Sequence, residues 1–534
     1  MAFCKNCGKQ LSDKAKFCGG CGTKVSKPQF VATAKPEKSE KEKRTMKVKI
    51  AVSLIVLVIL SVSLWLVCEA GDSATRWYRK NHGAKTFTIS TAEELAGLAT
   101  IVNGTWKDKP ERDNFAGKTI KLAGNIDLSA YDNWVPIGDY NTDSNNVFSG
   151  TFDGGGNVIN GLVINRYEDR QGLFGRIDGG NVQNLGLDGA DIKGRSRVGI
   201  VAGVVNKGSS ITNCYSTGVA SGSSIVGGIA GSVANNSSID SSYSAAAING
   251  DAAVGGIAGG VNVNSGITNS YSTGTVKGDE GVGGVAGSVL DTSKVTNSYS
   301  TGTLSGNDEV GGVAGQILSK SSLINSYFTG SISGRNRVGG IVGGVYKNSL
   351  VANSYSGGTV NGNEGVGGVA GGVYESQVIN SYSIGAVTGS DVVGGVAGGV
   401  RASTVASCAA LNSEVKGGGN VGRVFSNAWN NSKLLNNVAY SEMTNNAGNS
   451  KWANIGENKR DGISITIADI MADSTINGRF IIANGWSVQS GSLPGIGSPV
   501  AMPSYFKANP AAIQEEQAPQ EEAEETIPED PETE

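Results

Sequence analysis

Between Val198 and Val424, small apolar and polar residues follow a pattern that returns about every 28 residues. Val-Gly-Gly-Ile/Val-Ala-Gly, or a close variant, begins at Val198, Val226, Val254, Val282, Val310, Val338, Val366 and Val393, with a degenerate copy at Val421. Tyr215, Tyr243, Tyr271, Tyr299, Tyr327 and Tyr355 keep the same step, and Tyr382 follows one residue early. Fixed-period self-similarity marks a repeat architecture. In the unit from Val282 to Asn307, Val282–Val289 reads as a Gly-rich apolar strand. Lys294–Thr301 reads as a second, with Val295, Asn297 and Tyr299 on one face and Thr296, Ser298 and Ser300 on the other. Gly302–Gly306 is a third, bounded by glycine turns. Nothing in the unit has helical period. No proline falls between Val198 and Val424, so every backbone N–H can join a ladder.

One such unit cannot bury its own apolar face, whereas stacked units can. The pattern therefore predicts a mainly β chain: a parallel β-solenoid with one coil per repeat, three strands per coil, and coils about 4.8 Å apart. Aligned positions become columns. One runs Asn213, Ser241, Asn269, Asn297, Asn325, Asn353, Asn380, Ser407, and stacked amides can bond along it. The tyrosines form another. Cys214 and Cys408 fall in the Ser298 column, expected on the outer face and seven coil steps apart. That is roughly 34 Å, too far for a disulfide.

Upstream, Ser90-Thr-Ala-Glu93 reads as a capping box opening a short helix whose face is Leu95, Leu98, Ala99 and Val102. Such a helix can cover the exposed edge of the first coil. Strand-like pieces follow at Thr119–Leu122, Val147–Phe152, Val158–Ile164 and Val182–Leu187. Downstream, residues 427–505 lose the period and read as a cap, with Ile463–Ile470 as a strand and a turn of helix. The remaining tail is acidic, with no base after Ile513, and is expected to be disordered.

The N-terminus is different. Cys4, Cys7, Cys18 and Cys21 are spaced C-x2-C-x10-C-x2-C. Four thiolates in two such knuckles suit one tetrahedral, structural Zn²⁺, and Gly8 and Gly22 permit the tight turns. The stretch from Phe3 to about Val25 resembles the short zinc ribbon at the N-terminus of many bacterial membrane proteins. Residues 26–49 read as a Lys-rich linker. Ile50–Cys68 is an apolar run long enough for a spanning helix. Lys41, Lys43, Arg44, Lys47 and Lys49 flank it on one side, Glu69 and Asp72 on the other. The positive-inside rule places the ribbon in the cytoplasm and the rest outside a bacterial cell membrane. Reduced metal-binding cysteines fit that side. The expected organisation is ribbon 1–25, linker 26–49, span 50–68, stalk 69–85, the solenoid's opening region 86–197, repeats 198–426, cap 427–505 and tail 506–534.

Composition narrows the function. The net charge of −3 gives no reason to expect a nucleic-acid partner. A single histidine, His82, excludes Ser-His-Asp and Cys-His centres and an H-E-x-x-H peptidase site. Phe115–Leu122, Trp134–Gly138, Gly150–Gly154, Gly161–Asn165 and Gly172–Gly175, followed by the Val-Gly-Gly units, resemble GLUG-motif bacterial surface proteins. The resemblance covers about Thr86 to Pro503. It implies an envelope role, includes some IgA-cleaving metallopeptidases and presumed adhesins, and carries over no catalytic residue.

The turn before each Val-Gly-Gly collects acids, and Asp279, Glu280, Asp308 and Glu309 form a candidate Ca²⁺ strip or, with Arg335 and Arg337, a charge-balanced edge. The leading expectation is a non-enzymatic, single-pass envelope protein displaying a solenoid that binds a glycan or protein surface. The alternatives are a β-helical polysaccharide lyase or hydrolase, and a two-sided signalling or assembly protein whose ribbon holds a cytoplasmic partner.

Overall fold

The structure, a computed structural model, describes residues 2–12, 15–25, 73–105 and 112–506. Two compact units divide the chain, Met1–Glu69 and Ala70–Glu534. The expected span at 50–68, the whole linker at 26–49 and the acidic tail beyond Phe506 lie outside the described residues. Among the described residues, no helix is long and apolar enough to cross a membrane.

The larger unit is a parallel β-solenoid in the expected register. Val254 pairs with Val282 and Val282 with Val310. Val295 pairs with Leu323, and Tyr271 with Tyr299. A 13-stranded sheet runs from Thr86–Ile89 to Lys433–Leu435, a 10-stranded sheet from Phe174–Asp178 to Phe425–Trp429, and a 9-stranded sheet from Ser196–Gly199 to Val421–Gly422. The tyrosine strands form the remaining ladder.

Each coil has more corners than three strands require. The coil around Val282 contains Glu280–Gly283, Ala286–Val289, Lys294–Thr296, Tyr299–Ser300 and Thr303–Ser305. The first expected strand breaks at Gly284 and Val285. A Cβ on Gly283 would sit 1.9 Å from the Ala286 carbonyl oxygen, and one on Gly284 would sit 2.2 Å from that of Gly312. Only glycine fits two chains that close. The second expected strand breaks at Asn297, which is left-handed at φ 51°, like Asn269 (50°) and Asn325 (53°) in its column. Asparagine enters that region more readily than other non-glycine residues.

That corner resets the inward–outward alternation. Val295, Ser298 and Ser300 all face inward, while Thr296 and Tyr299 are half-buried. Buried hydroxyls need partners, and adjacent coils supply them. The Ser270 amide donates to Ser298 Oγ (3.2 Å), and the Ser298 amide to Ser326 Oγ (3.3 Å). A second column repeats the arrangement from Ser265 to Ser293 to Ser321. Around these, Val282, Val285, Val289, Val295 and Leu304 are fully buried, each contributing about 1.5–3 kcal/mol.

Both ends depart from expectation. The helix Ala92–Val102 buries Leu95, Leu98, Ala99 and Val102 as its pattern demands, but its cap lies one residue later. Thr91 Oγ1 accepts from the Glu94 amide, and Glu94 Oε2 accepts from the Ser90 amide. Residues 73–79, expected within a stalk, are helical. Tyr78 is buried there, and Trp77 packs on Phe87 and Phe115 with centroids 5.3 and 6.2 Å away.

At the other end the coils continue past residue 427. Ile463–Ile465 pairs with Val438–Tyr440. Arg423 stands where earlier coils have the second glycine of the motif. It is fully buried and donates to the carbonyls of Asp461 (2.9 Å) and Gly462 (3.2 Å). Phe506, expected in the tail, is buried against Tyr440.

Candidate metal centre and solenoid surfaces

The N-terminal unit is built from two like turns. In the first, the Cys4 amide donates to the Lys9 carbonyl (2.9 Å) and the Gly8 amide to the Cys4 carbonyl (2.9 Å). In the second, Cys18 donates to Thr23 (2.8 Å) and Gly22 to Cys18 (2.9 Å). Gly8 and Gly22 are left-handed at φ 72° and 70°, which lets each turn close. The pairing of Ala2–Phe3 with Gln10–Leu11 holds the first turn.

The four sulfurs lie within 4.8 Å of one another. Cys4 to Cys21 and Cys7 to Cys18 are each 3.6 Å. Four thiolates cannot share that space without a cation. The Thr23 hydroxyl holds the Cys21 thiol down at about 6. The Lys9 backbone lowers Cys7, yet its Cys21 and Cys18 neighbours push it up to about 12. Four soft donors converging in this way fit one structural zinc ion.

Among the described residues, no other set of three or more such donors comes together. The acidic turns of the solenoid instead bond along their own edge. Asp279 accepts from the Asn307 side chain (2.9 Å), and Asp308 from that of Asn336 (2.6 Å). Glu309 is left-handed at φ 57°. Its carboxylate is buried, where it accepts from the Tyr346 hydroxyl (2.5 Å) and Arg337 Nε (3.2 Å). Burial raises its pKa against the lowering effects of Tyr346 and Arg337. The charge-balanced edge is what forms.

The tyrosine column is a continuous ring stack. From Tyr215 to Tyr382, successive centroids are 5.2, 5.0, 4.9, 4.5, 5.1 and 5.2 Å apart, with planes within 9° of parallel. Tyr215, Tyr243, Tyr271, Tyr299 and Tyr327 are half-buried. Tyr355 and Tyr382 are buried, because the segment after the helix Ile467–Ala472 folds back across them. Phe480 and Trp486 pack on Tyr382 at 5.3 and 5.5 Å, and the Asn353 side chain donates to the Asn484 carbonyl (3.0 Å). This contact could not be read from the repeat, because Trp486 has no place in its register.

The two solenoid cysteines are inside, not on the outer face. Cys214 is 2% and Cys408 0% exposed, both in the inward serine column. The Cys214 amide donates to Ser242 Oγ (3.1 Å), and that of Cys408 to Asn437 Oδ1 (3.0 Å). Burial pushes both thiols up to about 12. Neither is in a disulfide.

Residues 3–25 match the zinc-ribbon domain. The ribbon geometry and this match agree on one structural zinc held by Cys4, Cys7, Cys18 and Cys21. An alignment 166 positions long, covering 27% of this chain, is 31% identical to halomucin of Haloquadratum walsbyi. The chain spans about 2% of that protein's length. The solved structure of a presumed immunoglobulin A1 protease from Bacteroides ovatus aligns over 78% of this chain and 92% of its own. Its TM-score is 0.32 at 18% identity, too low to carry an argument about activity.

Proposed function

We propose that this chain is a single-pass bacterial envelope protein whose solenoid stands outside the membrane and binds a glycan or protein surface. The observation that carries this reading is the repetition of identical side chains on a rigid axis. Tyr215 to Tyr327 present half-buried phenol edges about one coil step apart. Regular display of one chemical group favours a partner that is itself repetitive, through many weak contacts. The apolar run Ile50–Cys68, with lysines before it and acids after it, supplies the anchor and the orientation. The resemblance of residues 86–503 to GLUG-motif surface proteins points the same way. Within this topology the zinc ribbon faces the reducing cytoplasm.

Two measurements test the reading. Protease added to intact cells should digest the solenoid and spare the ribbon; a protected solenoid rejects the topology. The full chain in detergent micelles should bind at least one member of a glycan and matrix-protein array. Cleavage of a glycan in place of binding replaces this reading with that of a β-helical carbohydrate-active enzyme.

A further inference from the structure

Two shallow grooves lie in line along one edge of the solenoid. The first, about 360 Å³, is lined by Tyr167, Glu168, Asp169 and Arg195 among others. The second, about 330 Å³, includes Asp251, Lys277 and Asp279. One backbone ladder joins them. The Arg195 amide donates to the Glu168 carbonyl (2.7 Å), Ser223 to Arg195 (2.7 Å), Asp251 to Ser223 (2.9 Å) and Asp279 to Asp251 (2.8 Å). Four coil steps of about 4.8 Å make a strip about 19 Å long.

Tyr167 lines the first groove and reaches toward the second. It is 76% exposed, and its hydroxyl lies 3.3 Å from Ser223 Oγ. Unlike the stacked tyrosines, it has no aromatic neighbour on either face among the ring contacts of the described residues. A ring this open offers an apolar face with a polar tip. The groups beside it can donate to or accept from hydroxyls. Their charge is biased. Within the two linings Glu168, Asp169, Asp251 and Asp279 outnumber Arg195 and Lys277, and the cations beside the first pair are already engaged, Arg195 with Asp169 (2.8 Å) and Arg166 with Glu168 (2.8 Å). A polyanion is therefore disfavoured.

We propose that this edge binds a linear, uncharged polysaccharide lying along the solenoid axis, with one sugar ring stacked on Tyr167. The proposal rests on the reading of the solenoid as a binding surface and names its ligand class. An extended pyranose chain advances by roughly one coil step per ring, so successive hydroxyls meet successive turns.

The test titrates the full chain in detergent micelles with soluble oligomers of β-glucan, xylan and mannan, and with alginate as the polyanion. At least one neutral oligomer should bind, and alginate should bind more weakly. Tyr167→Ala should weaken binding by about tenfold or more, while Tyr167→Phe stays near the parent. Both variants should keep the parent's circular dichroism and melting temperature, because the side chain is largely outside the core. Failure of every neutral oligomer, or preference for alginate, overturns the ligand class. Binding unchanged by Tyr167→Ala overturns the site. A protein hit on the broader array in either case leaves the binding reading standing, so the two failures are distinguishable.

Discussion

Tyr382 and Trp486 pack with ring centroids 5.5 Å apart, and the Tyr382 hydroxyl donates to the Pro494 carbonyl at 2.5 Å. This contact fastens the C-terminal segment to the side of the solenoid. Trp486→Ala should leave a cavity against Tyr355 and Tyr382 and cost about 3–5 kcal/mol locally. Chemical modification of tyrosines, mapped by mass spectrometry, should then reach Tyr355 and Tyr382 as readily as Tyr299. Continued protection of both would mean the segment is held elsewhere.

Alkaline pH should loosen the same end. Burial, with Tyr299 beside it, pushes Tyr327 up to about 12, and burial holds Tyr355 and Tyr382 higher still. An unfolded tyrosine ionises near about 10. The folded values are raised, so the folded state keeps protons that the unfolded state loses. This stabilisation is complete below about pH 10 and declines as pH rises through the folded values. Phenolate absorbance should therefore appear in stages, with the last stage coinciding with loss of β-structure.

Zinc should be part of the ribbon's folding. Apparent binding energies for such sites are about 10–16 kcal/mol. Chelation of the full chain should abolish the amide protection of residues 2–25 in hydrogen exchange while leaving the solenoid protected. Cys4→Ser should do the same and lower the bound metal below one equivalent. Acidification should release zinc, because protons compete for the thiolates.

Cys408 replaces a serine in a buried hydroxyl column, and Ser381 is the preceding member of that column. Cys408→Ser should exchange the weak sulfur acceptor that faces the Ser381 backbone for a hydroxyl and change stability by no more than about 1 kcal/mol. In the parent, thiol reagents at neutral pH should label neither Cys214 nor Cys408 until the chain is denatured, because burial disfavours the reactive thiolate. Rapid native labelling would contradict the inward placement.

Gly284→Ala tests the coil corner. The new methyl group would lie 2.2 Å from the Gly312 carbonyl oxygen. Overpacking of that kind costs about 1–3 kcal/mol, read as a lower denaturation midpoint of the solenoid. Exposed Thr303→Ala in the same coil should be nearly silent.

The coil register was legible because Val-Gly-Gly and Tyr recur in step and no proline interrupts them. The corners were not. Asn297 and Glu309 are left-handed; the recurring asparagine was the available signal for the first, and nothing in its residue type announced the second. Reading straight through Asn297 puts Ser298 and Ser300 outside, and the same error puts Cys214 and Cys408 outside. The zinc site was readable in full because its four ligands sit at short fixed spacings and need no tertiary context. The cover over Tyr382 depends on a contact between distant segments, and nothing periodic encodes it.

Arg423 takes the glycine position of the last motif, and the C-terminal segment grips only the final coils. The helix Ala92–Val102 likewise touches only the first region. Neither terminus therefore counts the coils between them. At the level of the gene, unequal exchange between near-identical units would lengthen or shorten the rod while both ends stay intact. Each unit added would move the far end outward by about 4.8 Å. Related strains should accordingly differ in reach through whole-repeat steps, with few fractional ones.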